Sequence, residues 1–289
     1  MSGFDRSEHV TRGRLVFAAA LAILPIMDAI AKLLSTRLPV VEIIWARFVV
    51  YSAAAVPIAL LRHGRAGLVP RHPGWQLVRG TCTGLSSGAF FMAVSRMPVA
   101  DAMAVFLIYP ALLLCISGVL LGERPTARQW LLVACGFAGA LLVIRPSFHG
   151  IADGAPWALA SAFLYAFGMI TTRRLAGEHS PFVTTALSAL IGAVGYSCLV
   201  PAVWRSPESG DLWLLLAIGA IAALGHFGIV VAHRWARASQ LAPLGYTEIA
   251  GAVIAGMLMF NAVPTTATWC GIALIVSSGI AATWSRNHE

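Results

Sequence analysis

Asp28, Lys32, Arg47, Arg79, His226 and Glu248 interrupt long apolar stretches of this chain. A charged side chain in an apolar medium costs about 3 kcal/mol on insertion scales, so each must be paired, face water or meet a solute. Asp28 and Lys32 are four residues apart, which puts them on one helix face with the acid N-terminal to the base. That spacing reads either as a polar patch with Asp28 as a proton or cation site, or as an ion pair whose lysine reaches toward headgroups. An arginine keeps its proton and must find carbonyls, an acid or a solute. For Arg47 the candidate acids are Glu42 and Asp28, and a structural anchor is the plainer reading than solute contact. Arg79 either snorkels to headgroups, the expected case, or draws an anion to a membrane mouth.

Glu248 is the leading candidate for solute or proton chemistry. It follows Tyr246 by two residues and Pro243 by five. Pro243 removes a backbone donor and loosens its helix. Loosened backbone is tolerated inside a membrane only beside protein or water. An aromatic ring and an acid at such a break suit an aromatic, partly polar solute; the alternative is a neutral carboxyl that locks helix packing. His226 can change charge near neutral pH or serve as a hydrogen-bonded packing residue. Tyr109-Pro110 marks a second kink, and Tyr109 is expected to face Glu248. Phe90, Phe91, Trp157 and Tyr165 are further aromatic candidates for a cavity wall. His, Cys and acids nowhere cluster with metal-ligand spacing, so no metal is expected. No Gly-rich loop runs into Lys-Ser or Lys-Thr, so no nucleotide cofactor is expected either. Cys82, Cys115, Cys135, Cys198 and Cys270 all lie in apolar runs and read as small packing residues.

The elements that hold these residues are membrane helices. Hydrophobic residues make up 58% of the chain and charged ones 11%, against about 25% charged in a soluble domain. The net charge of +8 does not signal nucleic-acid binding, because the basic residues are scattered over short connections. A helix needs about 20 apolar residues to cross the hydrocarbon core. Ten stretches qualify: 15–35, 40–61, 75–95, 99–121, 127–145, 154–174, 182–203, 212–233, 241–260 and 265–284. The expected fold is an all-α integral membrane protein of ten transmembrane helices. Spans one to five fill 15–145 and spans six to ten fill 154–284; 1–14 and 285–289 are polar tails.

With a cytoplasmic N-terminus, thirteen arginines fall on the inner side: Arg6, Arg12, Arg14, Arg62, Arg65, Arg71, Arg124, Arg128, Arg173, Arg174, Arg234, Arg237 and Arg286. Only Arg37, Arg96, Arg145 and Arg205 fall on the other. That bias predicts both termini in the cytoplasm and a cell (inner) membrane location. Trp75, Trp130, Trp204, Trp213, Trp235 and Trp284 sit near span ends, where amphipathic rings favour the interface. Gly80, Gly84 and Gly88 form a ridge of small residues suited to close helix packing.

Pro125-Thr126 and Trp130 return 139 residues later as Pro264-Thr265 and Trp269. Five spans per half is an odd number, so the second half must enter the membrane upside down. The expectation is an inverted repeat of five plus five helices, a carrier whose halves rock about a midplane site. A channel would show a filter or charged ring, and an intramembrane enzyme a cluster of catalytic groups at one depth. Neither pattern is visible, so no enzymatic activity is expected.

Gly122-Glu123-Arg124-Pro125-Thr126 after the fourth span resembles the EamA box of the drug/metabolite transporter superfamily. Ala46-Arg47-Phe48, Asp28-Ala29-Ile30-Ala31-Lys32, the stretch from Leu241 to Glu248, and Phe260-Asn261-Ala262-Val263-Pro264 are also similar. The resemblance covers nearly the whole chain as two EamA repeats. It implies a secondary transporter of a small organic metabolite, with riboflavin, S-adenosylmethionine and amino acids among the candidates. The partners it implies are that metabolite, the lipid bilayer and coupled protons, which Asp28, Glu248 or His226 would carry. Where the second repeat of relatives often has an acid, aligned with Glu123, this chain has Ala262. Glu123 then reads as a helix-end residue paired with Arg124 or Arg128. The expected substrate or coupling residues are Glu248, Tyr246, Asp28, Arg47, Tyr109, His226, Tyr165 and Trp157.

Overall fold

The computed structural model describes residues 3–94, 96, 99–144, 151–178, 180–260 and 265–283. The first half contains α1 (Gly3–Leu34), α2 (Val40–Gly67), α3 (Pro73–Val94), α4 (Val99–Phe106), α5 (Tyr109–Leu121) and α6 (Ala127–Ile144). The second contains α7 (Ile151–Leu175), α8 (Pro181–Ser197), α9 (Ser209–Trp235), α10 (Ala238–Leu241), α11 (Thr247–Phe260) and α12 (Thr266–Thr283). Among the described residues, seven helical stretches are long and apolar enough to cross a membrane, with α4 and α5 acting as one. The other spans are α3, made more polar by Gln76 and Arg79, the interrupted α10–α11, and the short α12. Lys32's side chain, Trp284, Arg145, Arg286, Ala262 and the tail 285–289 lie outside the described residues.

Two spans differ from the expected continuous helices. The fourth is broken at Leu107-Ile108, between α4 and α5. The ninth begins at Ala238 and is broken by a 3-10 turn, Ala242–Tyr246. Pro110 stands in the first turn of α5 and Pro243 in the first turn of the 3-10 segment. Proline is tolerated there because those N–H groups have no intrahelical partner. The first helix also starts earlier than expected, inside the stretch read as a polar tail.

Helix pairing is unchanged when the halves are exchanged. α1 packs on α9, and its counterpart α7 packs on α3; α2 packs on α9, and α8 on α3. α1 also packs on α11, and α7 on α4 and α5. α2 against α8 and α6 against α12 are each their own counterparts and so straddle the pseudo-two-fold axis. Side chains repeat the pattern. Gly139 meets Gly271 so closely that a Cβ on either would press on the other's carbonyl oxygen. The contact 139 residues away is Ser278 Oγ donating to the Leu132 carbonyl at 2.8 Å. Arg37–Asp211 at 3.1 Å ties the α1–α2 connection to α9, and His72–Glu178 at 2.6 Å ties the loop before α3 to the loop after α7, at corresponding positions to within two residues. Gly80, Gly84 and Gly88 receive Ile191 and Tyr196 of α8, so the small-residue ridge is a packing surface. Trp130, Trp204, Trp213 and Trp235 are exposed near helix ends, and Arg174 stacks on Trp75.

Candidate functional site

A hollow of about 80 Å³ lies on the seam between the halves. α1 contributes Leu24, Met27 and Asp28, α2 Arg47, and α3 Ser86, Ser87, Phe90 and Phe91. α4 adds Met103 and Phe106; α7, α9 and α11 of the other half add Ser161, Tyr165, His226 and Glu248. Arg47 is two turns from the start of α2, Phe91 one turn from the end of α3, and Met103 one turn from the start of α4. The hollow therefore sits nearer the end of the bundle that carries the α1–α2 connection. A larger groove of about 590 Å³, lined by Arg62, His63, Phe182 and Trp235, lies at the opposite end of α2, α8 and α9, away from the hollow.

Arg47 is buried and held by neutral groups. Nη2 lies 3.1 Å from His226 Nε2, and Nη1 donates to Ser87 Oγ at 3.4 Å. A guanidinium has no acceptor, so His226 presents a lone pair at Nε2. The imidazole stacks on Tyr51, ring centroids 5.6 Å apart and planes 12° apart, and Arg47 lies over the Phe48 ring. Arg47 Nε has no hydrogen-bond partner. Neither acid expected beside it is in contact. Glu42, buried, accepts from the Arg205 backbone N–H at 3.0 Å, and Asp28 stands apart, exposed into the hollow. Glu248 is buried, and its Oε2 has no partner.

The wall between these groups is aromatic and hydroxylic. Phe106 contacts Phe90, Tyr109 and Tyr165 at centroid distances of 5.3, 5.2 and 5.4 Å. Ser86 and Ser161 bond reciprocally, each hydroxyl donating to the other's carbonyl at 3.0 and 2.8 Å, which pins α3 to α7 beside the hollow.

Of the expected site residues, Asp28, Arg47, Tyr165, His226 and Glu248 come together on this hollow, as do Phe90 and Phe91. Tyr109 lies behind the wall. It does cross the seam, but its hydroxyl donates to the Gly245 carbonyl at 3.1 Å rather than to Glu248. The two helix breaks thus touch through one hydrogen bond. Tyr246 is buried with its ring against Gly136 and Phe137 on α6, and its hydroxyl is unpartnered. Trp157 is exposed near the start of α7 beneath the Arg96 guanidinium, away from the hollow. Arg79 does not snorkel. It is buried, donating to Thr172 Oγ1 at 2.7 Å, to the Thr184 carbonyl at 3.3 Å and to Ser188 Oγ. Three local acceptors hold its charge without headgroups. Ser86, Ser87, Ser161 and Phe106 were not singled out from sequence; hydroxyls spaced along an apolar helix were the available signal.

The end of the seam nearer the termini is closed by Glu123. Gly122 caps α5 at φ 64, a left-handed conformation that favours glycine. The chain then turns so that the Glu123 carboxylate accepts from the N–H groups of Ala238 and Ser239 at 3.3 and 2.9 Å. Arg173 lies 3.7 Å from the same carboxylate and donates to the His233 carbonyl at 2.6 Å. One acid therefore joins α5, α7, α9 and α10. The expected pairing with Arg124 or Arg128 is not what forms, because the capped turn carries the carboxylate across the seam.

The sequence profile of the EamA-like transporter family matches residues 11–145 and again 153–283. The chain is 31% identical over 264 residues to the pseudopaline exporter of Pseudomonas aeruginosa, covering 89% of this chain and 90% of that one. It is 27% identical to a riboflavin transporter of Rhizobium johnstonii, covering 76% and 74%. It is 25% identical to the S-adenosylmethionine uptake transporter of Rickettsia conorii, covering 91% of each. A solved crystal structure 20% identical in sequence superposes with a TM-score of 0.80, covering 94% of this chain and 96% of that chain.

Proposed function

Because the chain belongs to the EamA-like transporter family, a multi-pass family of metabolite transporters, we propose that it is a secondary carrier working by alternating access. The hollow between the halves is its solute site. One observation carries this reading: Asp28, Arg47 and Glu248, drawn from both repeats, converge on a hollow at the seam. Charged groups inside a bundle are costly unless they serve a pathway. A site on a pseudo-two-fold seam can be exposed to either side by rocking one half against the other. The hollow of about 80 Å³ is far below the roughly 300 Å³ of an ordinary small-molecule pocket, so this is a contracted state. With the basic residues and both termini in the cytoplasm of the cell (inner) membrane, the Glu123 closure faces inward.

The solute is a small organic metabolite, and the relatives supply candidates: riboflavin, S-adenosylmethionine or pseudopaline. Energy comes from the solute gradient or from protons moved through Asp28, Glu248 or His226. Reconstitution tests the reading. A carrier gives saturable flux and counterflow of a preloaded solute. Fast, unsaturable flux would mark a channel, and a covalently altered solute an enzyme. Glu248→Gln should abolish most of the flux while leaving the melting temperature unchanged; unaffected flux would remove Glu248 from the site.

A further inference from the structure

We infer that the hollow is charge-matched to a zwitterion, with the solute's carboxylate on Arg47 and its cationic group between Asp28 and Glu248. This rests on the reading of the hollow as the solute site and narrows it to one substrate class.

The observation is a set of opposite charges that share a cavity and do not pair. Arg47 is held by His226 and Ser87, both uncharged hydrogen-bonding partners in this arrangement, and its Nε is left over. Among the described residues no carboxylate lies within 4 Å of its guanidinium, although Asp28 and Glu248 line the same hollow. Asp28 faces the hollow without an ion pair to Arg47, and buried Glu248 has an unpartnered oxygen. Elsewhere in this bundle charges find partners readily: Asp211 has Arg37, Glu123 has Arg173, and Arg79 has two hydroxyls and a carbonyl.

A protein that only needed to neutralise these three groups would let them meet. Instead the backbone fixes them apart. Arg47 is tethered from behind by His226, which is itself stacked on Tyr51. Glu248 is set by the first turn of α11, directly after the helix break. Neither support brings Arg47 and Glu248 within ion-pair distance of each other in this structure. The missing counter-charges are an anion for Arg47, best a carboxylate that the planar fork can grip, and a cation for the two acids. Phe90, Phe106 and Tyr165 line the hollow and offer an apolar surface to the body of the solute. An uncharged solute would leave all three groups desolvated and unpaired, which is the costly case.

The test pairs deletions on the solute with deletions on the protein. Full-length protein in nanodiscs is titrated calorimetrically with two matched series and one neutral probe. The first series is L-phenylalanine, 2-phenylethylamine and 3-phenylpropionate. The second is S-adenosylmethionine, its decarboxylated form and methylthioadenosine. The neutral probe is riboflavin. In at least one series the zwitterion should bind tenfold to about a hundredfold more tightly than either truncated analogue, the range of a charge-assisted hydrogen bond. Arg47→Gln should erase the advantage of zwitterion over amine while leaving the affinity for the amine nearly unchanged. Glu248→Gln and Asp28→Asn should erase the advantage over the acid. Riboflavin or methylthioadenosine binding as tightly as the zwitterions, no binding by any zwitterion, or an equal loss for every solute in Arg47→Gln would each overturn the inference. The carrier reading fails differently. Saturable counterflow of riboflavin alone would leave it standing and sink the zwitterion, whereas absence of saturable counterflow for all seven solutes would sink the carrier.

Discussion

His226 supports Arg47. Its Nε2 holds one end of the guanidinium, and its stack on Tyr51 keeps the ring from rotating away. His226→Phe should retain the stack and most of the packing while leaving Arg47 Nη2 without an acceptor. Binding of a carboxylate-bearing solute should then weaken about tenfold, in line with a lost charge-assisted bond, with little change in melting temperature. A matched fall in affinity for amine-only analogues would instead mark a general packing defect. Tyr109→Phe removes the one hydrogen bond linking the two helix breaks. Such bonds between membrane helices are worth about 0.6 to 1.7 kcal/mol. The variant should melt at a correspondingly lower temperature, and an unchanged melt would mean the breaks are held by packing alone. At this scale much of the hollow was legible, because an ionisable group in an apolar run must have a reason. Asp28, Arg47, His226 and Glu248 were found that way. Depth alone could not tell whether Arg79 turns outward to headgroups or inward to Thr172 and Ser188. Ser86, Ser87 and Ser161 were hidden because a hydroxyl can bond its own helix, as Ser87 does to the Thr83 carbonyl, and so gives no sign of facing a cavity.

Helix breaks and caps decide where those side chains point. The break at Leu107-Ile108 and the 3-10 turn Ala242–Tyr246 fall in corresponding spans, and the helices that follow them, α5 and α11, start 138 residues apart, within one residue of the shift of the Pro-Thr and Trp repeat. The prolines are not at matching positions: Pro110 corresponds to Ile249, and Pro243 to Ala104. The symmetry of the breaks was therefore invisible in the prolines and is a property of the packed halves, which need unwound backbone at the same place. Gly122 is the other decisive element-scale residue. Gly122→Ala places a Cβ at φ 64, a strain of about 1–2 kcal/mol. It should also misdirect Glu123, so the melting temperature should fall by more than in a Gly→Ala change at the open, ordinary-φ position Gly74. Equal effects at the two sites would show that the cap is not what aims the carboxylate.

Across the whole molecule the scaffold is symmetric but its closure is not. Repeat-related ion pairs, Arg37–Asp211 and His72–Glu178, staple the α1–α2 connection to α9 and the loop before α3 to the loop after α7. Both pairs cross from one half to the other, one at each end of the bundle, so together they favour neither end. Glu123 differs, because it spans α5, α7 and α10 and so must release when the seam opens at that end. Its counterpart by the 139-residue shift is Ala262, which has no carboxylate to offer. An inverted repeat with identical gates would give two end states of equal energy. On the proposed alternating-access reading, the Glu123 bond set, at about 1.5–3 kcal/mol per charge-assisted bond, favours closure at the end nearer the termini. Glu123→Ala should release that end. The amides of segment 236–241, two of which donate to Glu123, should then exchange with deuterium about 10 to 100 times faster. Cutting the staple with Arg37→Ala at the far end should leave the same segment unchanged. If segment 236–241 exchanges at the same rate with and without the Glu123 carboxylate, the bond set closes nothing. The contracted hollow would then have to be maintained by helix packing that the two halves share equally.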